Sequence, residues 1–146
     1  MATVLSYPET RYTPEPLADF NSAEVRRRLS GSALTGFLKM MEIWKVRDED
    51  ARMLLGGISN GPFYEMKKNH KGKVLDVDRM FRISYLLGIF KALNILHGQQ
   101  LADDWVQLAN TNSMFGGKTP LRYMIDGGLP AMQNVRRLLD ARRGGV

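Results

Sequence analysis

Residues 83–96 read Ile-Ser-Tyr-Leu-Leu-Gly-Ile-Phe-Lys-Ala-Leu-Asn-Ile-Leu, and this stretch decides the fold. Its apolar side chains fall on nearly every side of a helix, which is typical of a helix enclosed by its neighbours. Asp76 is a suitable N-cap upstream, and His97-Gly98 provides a stop. We therefore predict a long helix from Asp76 to about His97 at the centre of the protein.

The segment upstream, residues 22–44, is rich in helix-forming residue types but contains Ser30-Gly31-Ser32, where we predict a break between two helices. One apolar stripe follows at spacings of three and four, which predicts a helix face turned inward. The stripe consists of Leu34, Phe37, Leu38, Met41 and Trp44.

Residues 46–69 read Val-Arg-Asp-Glu-Asp-Ala-Arg-Met-Leu-Leu-Gly-Gly-Ile-Ser-Asn-Gly-Pro-Phe-Tyr-Glu-Met-Lys-Lys-Asn, a pattern of two short helices about a tight turn. Ala51 is small enough for the second helix to cross the first closely. Gly56-Gly57 supplies the turn, and the Ser59 hydroxyl can cap the second helix. The side chains predicted to face the core are Ala51, Leu54, Leu55, Ile58, Phe63 and Met66.

The opposite face of the second helix, with the basic loop after it, carries the residues that we predict to bind DNA. Short polar, aromatic and basic side chains can meet phosphates and base edges in a major groove. The predicted residues are Ser59, Asn60, Gly61, Tyr64, Lys67, Lys68, Asn69, His70 and Lys71. A solvated face of a purely structural helix bundle stays open as the alternative, and Glu65 and the acidic residues 48–50 weigh towards it.

The last third predicts a helix at about 102–109, a loop over 110–119, and helices near 120–126 and 130–142. Thr119 before Pro120 fits an N-cap followed by the first helical position. Gly127-Gly128 fits the left-handed residue that ends a helix. With no useful β-alternation in the chain, we predict an all-α fold.

Composition excludes several classes of function. The 146 residues carry a net charge of +6, which suits an anionic partner, and include no cysteine and two histidines. Disulfides, thiolate metal sites and thiol nucleophiles are therefore excluded, and we expect no metal or cofactor. The spacing of Ser84, His97 and Asp104 does not form a catalytic triad. Residues 116–119 do not form a phosphate-binding loop. We therefore expect no enzyme activity. The apolar runs are too short to cross a bilayer, and the sequence shows no secretory signal pattern. We therefore predict a cytoplasmic protein without membrane contact.

Residues 105–128, Trp-Val-Gln-Leu-Ala-Asn-Thr-Asn-Ser-Met-Phe-Gly-Gly-Lys-Thr-Pro-Leu-Arg-Tyr-Met-Ile-Asp-Gly-Gly, and the helix ending in residues 136–143 resemble the C-terminal domain of the MbcA/ParS/Xre antitoxin family. There, a tryptophan-bearing helix leads to a loop of the type Asn-x-x-(apolar)-Gly-Gly-(basic)-(Thr/Ser)-Pro-Leu. The matching residues are Trp105, Asn112, Phe115, Gly116, Gly117, Lys118, Thr119, Pro120 and Leu121. Residues 51–68 resemble the family's Xre-like helix-turn-helix, except for Gly61-Pro62, Glu65 and the glycine pair in the turn.

The resemblance implies a type II antitoxin that silences a toxin encoded beside it and represses their shared promoter through the helix-turn-helix. Toxins paired with this family commonly carry a RES domain, which resembles ADP-ribosyltransferases and consumes NAD⁺. Because helix-turn-helix proteins usually read paired half-sites, we also expect a homodimer. The alternatives are a free-standing helix-turn-helix regulator and a toxin-binding module that no longer binds DNA.

The residues expected to bind the toxin are Asn112, Phe115, Gly116, Gly117, Lys118, Arg136, Leu139, Arg142 and Arg143. Residue types leave two interpretations of Phe115: an exposed anchor held out by the glycines, or, slightly favoured, a ring packed inward. The arginines either complement the helix dipole or reach, through residues 142–146, an acidic or NAD-phosphate-binding cleft of the toxin. The expected organisation is an extended arm (1–20), a helix-turn-helix DNA-binding and dimerisation domain (21–99) and a small helical toxin-binding domain (100–146).

Overall fold

The computed structural model describes residues 18–143, and within that range all regular secondary structure is helical. The predicted all-α fold is confirmed. The predicted arm lies outside the described residues up to position 17, as does the end of the predicted toxin-binding tail from position 144. The α-helices are α1 (Ala23–Ile43), α2 (Asp48–Leu54), α3 (Asn60–Lys68), α4 (Val77–Leu96), α5 (Gln99–Asp104) and α6 (Pro120–Arg143), with 3-10 turns at His70–Gly72, Trp105–Gln107 and Ser113–Phe115.

Helix α4 lies at the centre, in contact with α1, α5 and α6. Its limits agree with the sequence prediction: the Asp76 side chain accepts a hydrogen bond from the Arg79 N–H, and His97 is the C-cap. Six of its side chains are fully buried, as the all-round apolar pattern requires. They are Met80, Ile83, Leu86, Ile89, Ala92 and Leu93.

Helix α1 runs unbroken through Ser30-Gly31-Ser32, so the predicted break is wrong. The Ser30 and Ser32 hydroxyls donate hydrogen bonds to the Arg26 and Leu29 carbonyls of the same helix. Hydroxyls bonded in this way do not draw the backbone into a non-helical conformation. Small residues are needed there because residues 70–75 lie across α1, and the buried Ser30 Oγ accepts a hydrogen bond of 2.9 Å from the Leu75 N–H. The small residues mark a site of close packing.

The last third begins earlier than expected, since α5 starts at Gln99 and gives way to a 3-10 turn at Trp105. Thr119 is confirmed as an N-cap, because its Oγ1 accepts from the Arg122 N–H at 3.1 Å. Helix α6 is interrupted at Gly128, whose φ of 66° and ψ of −147° confirm the predicted boundary between two helical halves. None of the described helices combines the length and the apolar character required to cross a bilayer.

Candidate functional site

The helix pair α2–α3 is built around a turn in which Gly56 and Gly57 have φ values of 92° and 86°. These are left-handed angles that glycine adopts without strain, so the glycine pair specifies this turn. Arg52 holds the turn closed through a hydrogen bond of 2.9 Å from its Nε to the Ile58 carbonyl. Of the predicted core residues of this pair, all are buried except Met66, which is partly buried.

The N-terminus of α3 differs from the prediction in one respect. Ser59 occupies the N-cap position and its carbonyl accepts from the Phe63 N–H at 3.1 Å, but its hydroxyl caps nothing. The predicted hydroxyl cap is therefore wrong, and the exposed Oγ faces solvent. Pro62 lies in the first turn of α3, where its missing N–H removes no helical hydrogen bond.

The residues predicted to bind DNA form an outer surface on α3 and the turn that follows, which we call the α3 surface. His70 is partly buried, and the other members are exposed: Ser59, Asn60, Gly61, Tyr64, Lys67, Lys68, Asn69 and Lys71. Tyr64 is 60% exposed, a high value for an aromatic side chain. The Lys68 ammonium lies 5.6 Å from the centre of that ring. The Tyr64 hydroxyl, the Tyr64 ring and the Lys68 charge are therefore accessible to the same ligand.

One cation of the α3 surface already has a partner. The Lys67 ammonium lies 3.1 Å from each carboxylate oxygen of Asp48, in the first turn of α2. Glu49 and Asp50 are paired as well, through Arg47 at 2.8 and 3.5 Å. Sequence reasoning gave Asp48 no role on this surface, because a separation of 19 residues has no helical or strand period that would signal the contact.

The basic loop after α3 is held against α1. The Thr35 Oγ1 lies 2.6 Å from the His70 Nδ1, and a Cβ on Gly31 would lie 3.6 Å from the Lys71 Cα. Together with the bond from Leu75 to Ser30, these contacts fix the path of the loop and leave Lys71 exposed.

A second candidate surface is the loop before α6. The Asn112 side chain accepts from the Met114 N–H at 2.9 Å, and Gly116 and Gly117 have φ values of 58° and 85°. Phe115 is 1% exposed, with its ring edge-on to Trp105 and Tyr123 at centroid distances of 6.0 and 5.2 Å. The interpretation of Phe115 as an exposed anchor is wrong, and the inward-packed alternative is confirmed. Trp105 and Tyr123, ten and eight residues away along the chain, enclose the ring of Phe115 edge-on.

Lys118 fastens this loop to α6 through a bond of 2.7 Å from its ammonium to the Asp126 carboxylate. That hydrogen bond, aided by the positive charges of Lys118 and Arg122, lowers the pKa of Asp126 below its ordinary value. The loop therefore presents the exposed Gly116 and Gly117 in a fixed position.

The predicted toxin-binding residues of α6 differ in accessibility. Leu139 is fully buried, so it supports the surface from below and its side chain does not form part of it. The Arg136 Nε bonds to Asp140 at 2.9 Å, and its guanidinium lies over Gly88 of α4, where a Cβ would come within 1.6 Å of Nη1. Arg143 is 3.8 Å from the same carboxylate and 14% exposed. Arg142 is exposed.

Two contacts that the sequence analysis missed join α2 to later helices, one to α6 through Arg122 and one to α4 through Arg82. The Arg122 guanidinium is 3.5 Å from the Asp50 carboxylate, and the Arg82 Nη1 donates to the Leu54 carbonyl at 3.4 Å. Nothing in the sequence signals either pair, since each joins segments that meet only after folding. Among residues 18–143, no cluster of three or more His, Cys, Asp or Glu side chains is arranged to hold a metal ion.

Comparison with known proteins places these surfaces in context. Residues 91–145 match the family described as the antitoxin Xre/MbcA/ParS C-terminal toxin-binding domain. A similar protein is the "Uncharacterized protein y4oB" of Sinorhizobium fredii (strain NBRC 101917 / NGR234), 35% identical over 113 residues, which span 77% of this chain and 84% of the relative. No solved structure matches. The matched residues begin within α4 and include the 112–118 loop and α6.

Proposed function

The chain belongs to the Xre/MbcA/ParS antitoxin family, and from this premise we propose that it is a type II antitoxin that neutralises a RES-domain, NAD-consuming toxin and represses its own operon. The C-terminal domain is a toxin-binding domain, so a toxin is a partner of the chain and the chain itself is a regulatory protein without catalytic activity. The observation that carries the proposal is the family match over α5, the 112–118 loop and α6.

Toxin capture is assigned to the exposed groups of the C-terminal part. The backbone of Gly116 and Gly117 is exposed and fixed by the Lys118–Asp126 bond, which favours recognition by a rigid partner. Arg142 offers a guanidinium at the end of α6, where it suits an acidic cleft. The side chains of Arg136 and Arg143 contact Asp140 and so stabilise the end of α6. Phe115 and Leu139 are buried beneath this surface and support it by packing.

DNA binding is assigned to the α3 surface. Helix α3 projects Asn60, Tyr64 and Lys68 outward, and the basic loop follows directly, which suits a helix in a major groove flanked by phosphates. We propose that the protein acts as a cytoplasmic homodimer, because paired half-sites double the contacts made by so short a helix. Residues 21–99 then serve DNA binding and dimerisation, and residues 100–146 serve toxin binding.

The reading frame beside this gene provides the decisive experiment. Expressed alone it should arrest growth and deplete NAD⁺, and co-expression of this chain should restore both. Arg142→Glu should weaken the rescue, whereas Arg27→Glu, the same charge reversal on α1, should not. A harmless neighbour would overturn the antitoxin proposal in favour of a free-standing regulator, and toxicity without NAD⁺ loss would overturn the RES assignment.

A gel shift with the operon's own upstream DNA tests the second activity. Binding that is weakened by Lys67→Ala/Lys68→Ala supports repression through the α3 surface. Rescue from the toxin without any DNA shift would identify a toxin-binding module that does not bind DNA.

A further inference from the structure

A second group of cations lies outside every surface described so far. Arg27 and Arg28 on α1 are exposed, and neither guanidinium forms an ion pair or a hydrogen bond with any residue in the described range 18–143. Glu24 lies one helical turn earlier, yet it does not approach either guanidinium within ion-pair distance. Their charges are therefore available to a partner, unlike that of Lys67.

The path of the basic loop places Lys71 beside Gly31, one helical turn from these arginines. The loop runs antiparallel to α1: His70 contacts Thr35, Lys71 passes Gly31, and Leu75 bonds to Ser30. Arg27 and Arg28 lie one turn before Gly31, and side chains on a helix lean towards its N-terminus. The positions of the two arginines therefore continue, along α1, the direction of the loop that carries Lys71 and Lys73.

This line is continuous with the α3 surface. Helix α3 ends at Lys68, and only Asn69 separates it from His70 at the start of the loop. If α3 entered the major groove of a duplex, one phosphate strand would lie beside the loop. The N-terminal half of α1, along which the loop packs, would lie next to the same strand.

We propose that Arg27, Arg28 and Lys73, together with Lys71 of the α3 surface, form an α1–loop cluster. This cluster binds the phosphate backbone of a DNA duplex beside the groove that α3 enters. The inference rests on the proposed DNA binding and adds α1 to the contact surface. Guanidinium groups form paired hydrogen bonds with phosphate oxygens, and these contacts position a protein without reading the sequence. The cluster contributes affinity for a duplex of any sequence, whereas α3 contributes the preference for one particular sequence.

The test measures the affinity of the full chain for its own upstream duplex and for an unrelated duplex of equal length over a range of salt concentrations. Arg27→Ala and Arg28→Ala should each weaken binding to both duplexes and make the slope of log K against log salt shallower by about 1. Arg137→Ala, which removes one exposed charge from α6, should change neither quantity. Glu24→Gln should tighten binding to both duplexes, because it removes a negative charge one turn away.

The outcomes separate this inference from the proposal on which it rests. If Lys68→Ala weakens binding but Arg27→Ala and Arg28→Ala leave affinity and slope unchanged, the α1–loop cluster is overturned and the α3 surface stands. If the unmodified chain binds neither duplex, both are overturned. Arg27→Lys and Arg28→Lys, which keep the charge, should retain the slope; a loss in these variants too would show that the arginines act on the fold, and would also overturn the inference.

Discussion

The Arg122 guanidinium on α6 lies 3.5 Å from the Asp50 carboxylate on α2 and joins the toxin-binding domain to the helix pair α2–α3. The Asp50 side chain is 13% exposed, whereas that of Arg122 is 46% exposed. The carboxylate is therefore the more costly group to leave unpaired, and its other partner is Arg47, also at 3.5 Å. The pair is a direct physical link between α2, which packs against α3, and α6, which carries Arg142.

A double-mutant cycle with Asp50→Asn and Arg122→Gln measures the strength of this link. Because one partner is half exposed, we expect a coupling of about 0.5–1 kcal/mol in the free energy of unfolding by urea. Asp50→Asn combined with Arg137→Gln, two sites without contact, should be additive. A cycle on the first pair that is as additive as this control would show that the ion pair contributes nothing.

In the proposed DNA complex, Asp48 would compete with DNA phosphates for the Lys67 ammonium. Asp48→Asn removes the carboxylate that holds the ammonium and should tighten binding to the operon's upstream DNA by up to about fivefold, the range of an exposed ion pair. Glu49→Gln removes the same charge one residue away, but from Arg47, and should have a smaller effect. Equal effects of the two variants would assign the change to general electrostatics and contradict a specific role for Asp48.

Ser30 should be critical for the position of the basic loop. Ser30→Ala leaves the buried Leu75 N–H without its acceptor, so we expect a loss of about 1–3 kcal/mol of stability and faster amide exchange at Leu75. Ser32→Ala removes only an exposed bond to the Leu29 carbonyl and should change stability by less than about 0.5 kcal/mol. Unchanged exchange at Leu75 in Ser30→Ala would contradict this anchoring role.

The sequence predicted the elements whose signals are local. The caps at Asp76 and Thr119, the turn at Gly56-Gly57 and the boundary at Gly128 each depend on a residue's own backbone preferences or on neighbours within one turn. Ser30-Gly31-Ser32 misled for the opposite reason. Ser30 and Gly31 are small because they contact Leu75 and Lys71, which lie 45 and 40 positions later in the chain. An interpretation from neighbouring residues alone takes the same small residues for a helix break.

The sequence predicted correctly that most residues of the α3 surface are exposed, but not which side chains contact each other. Exposure of Tyr64 and Lys68 follows from the helical period of α3. The bond from Lys67 to Asp48, the burial of Phe115 against Trp105 and the approach of Lys71 to Gly31 each depend on the relative positions of packed elements. Those positions follow from tertiary packing, which no periodicity in the sequence encodes.

Phe115→Ala should abolish toxin binding by destabilising the domain. Removing a fully buried ring in contact with Trp105 and Tyr123 should cost about 3–5 kcal/mol in the free energy of unfolding. Phe115→Leu, which refills most of the volume, should cost less and retain toxin neutralisation. A stable Phe115→Ala protein that fails to bind the toxin would instead assign the ring a direct contact.

Asp126 should report the order of the 112–118 loop as the pH changes. Its pKa is lowered in the folded chain, chiefly by the hydrogen bond from Lys118, so the bond stabilises the loop above the ordinary pKa of an aspartate. That contribution is lost as the pH falls through the folded pKa, where the carboxylate gains a proton. Carboxyl resonances followed by NMR should show the Asp126 pKa rising towards its ordinary value in Lys118→Ala. Lys91→Ala, on α4, should leave it unchanged, and so low a pKa retained in Lys118→Ala would contradict the assignment of the shift to Lys118.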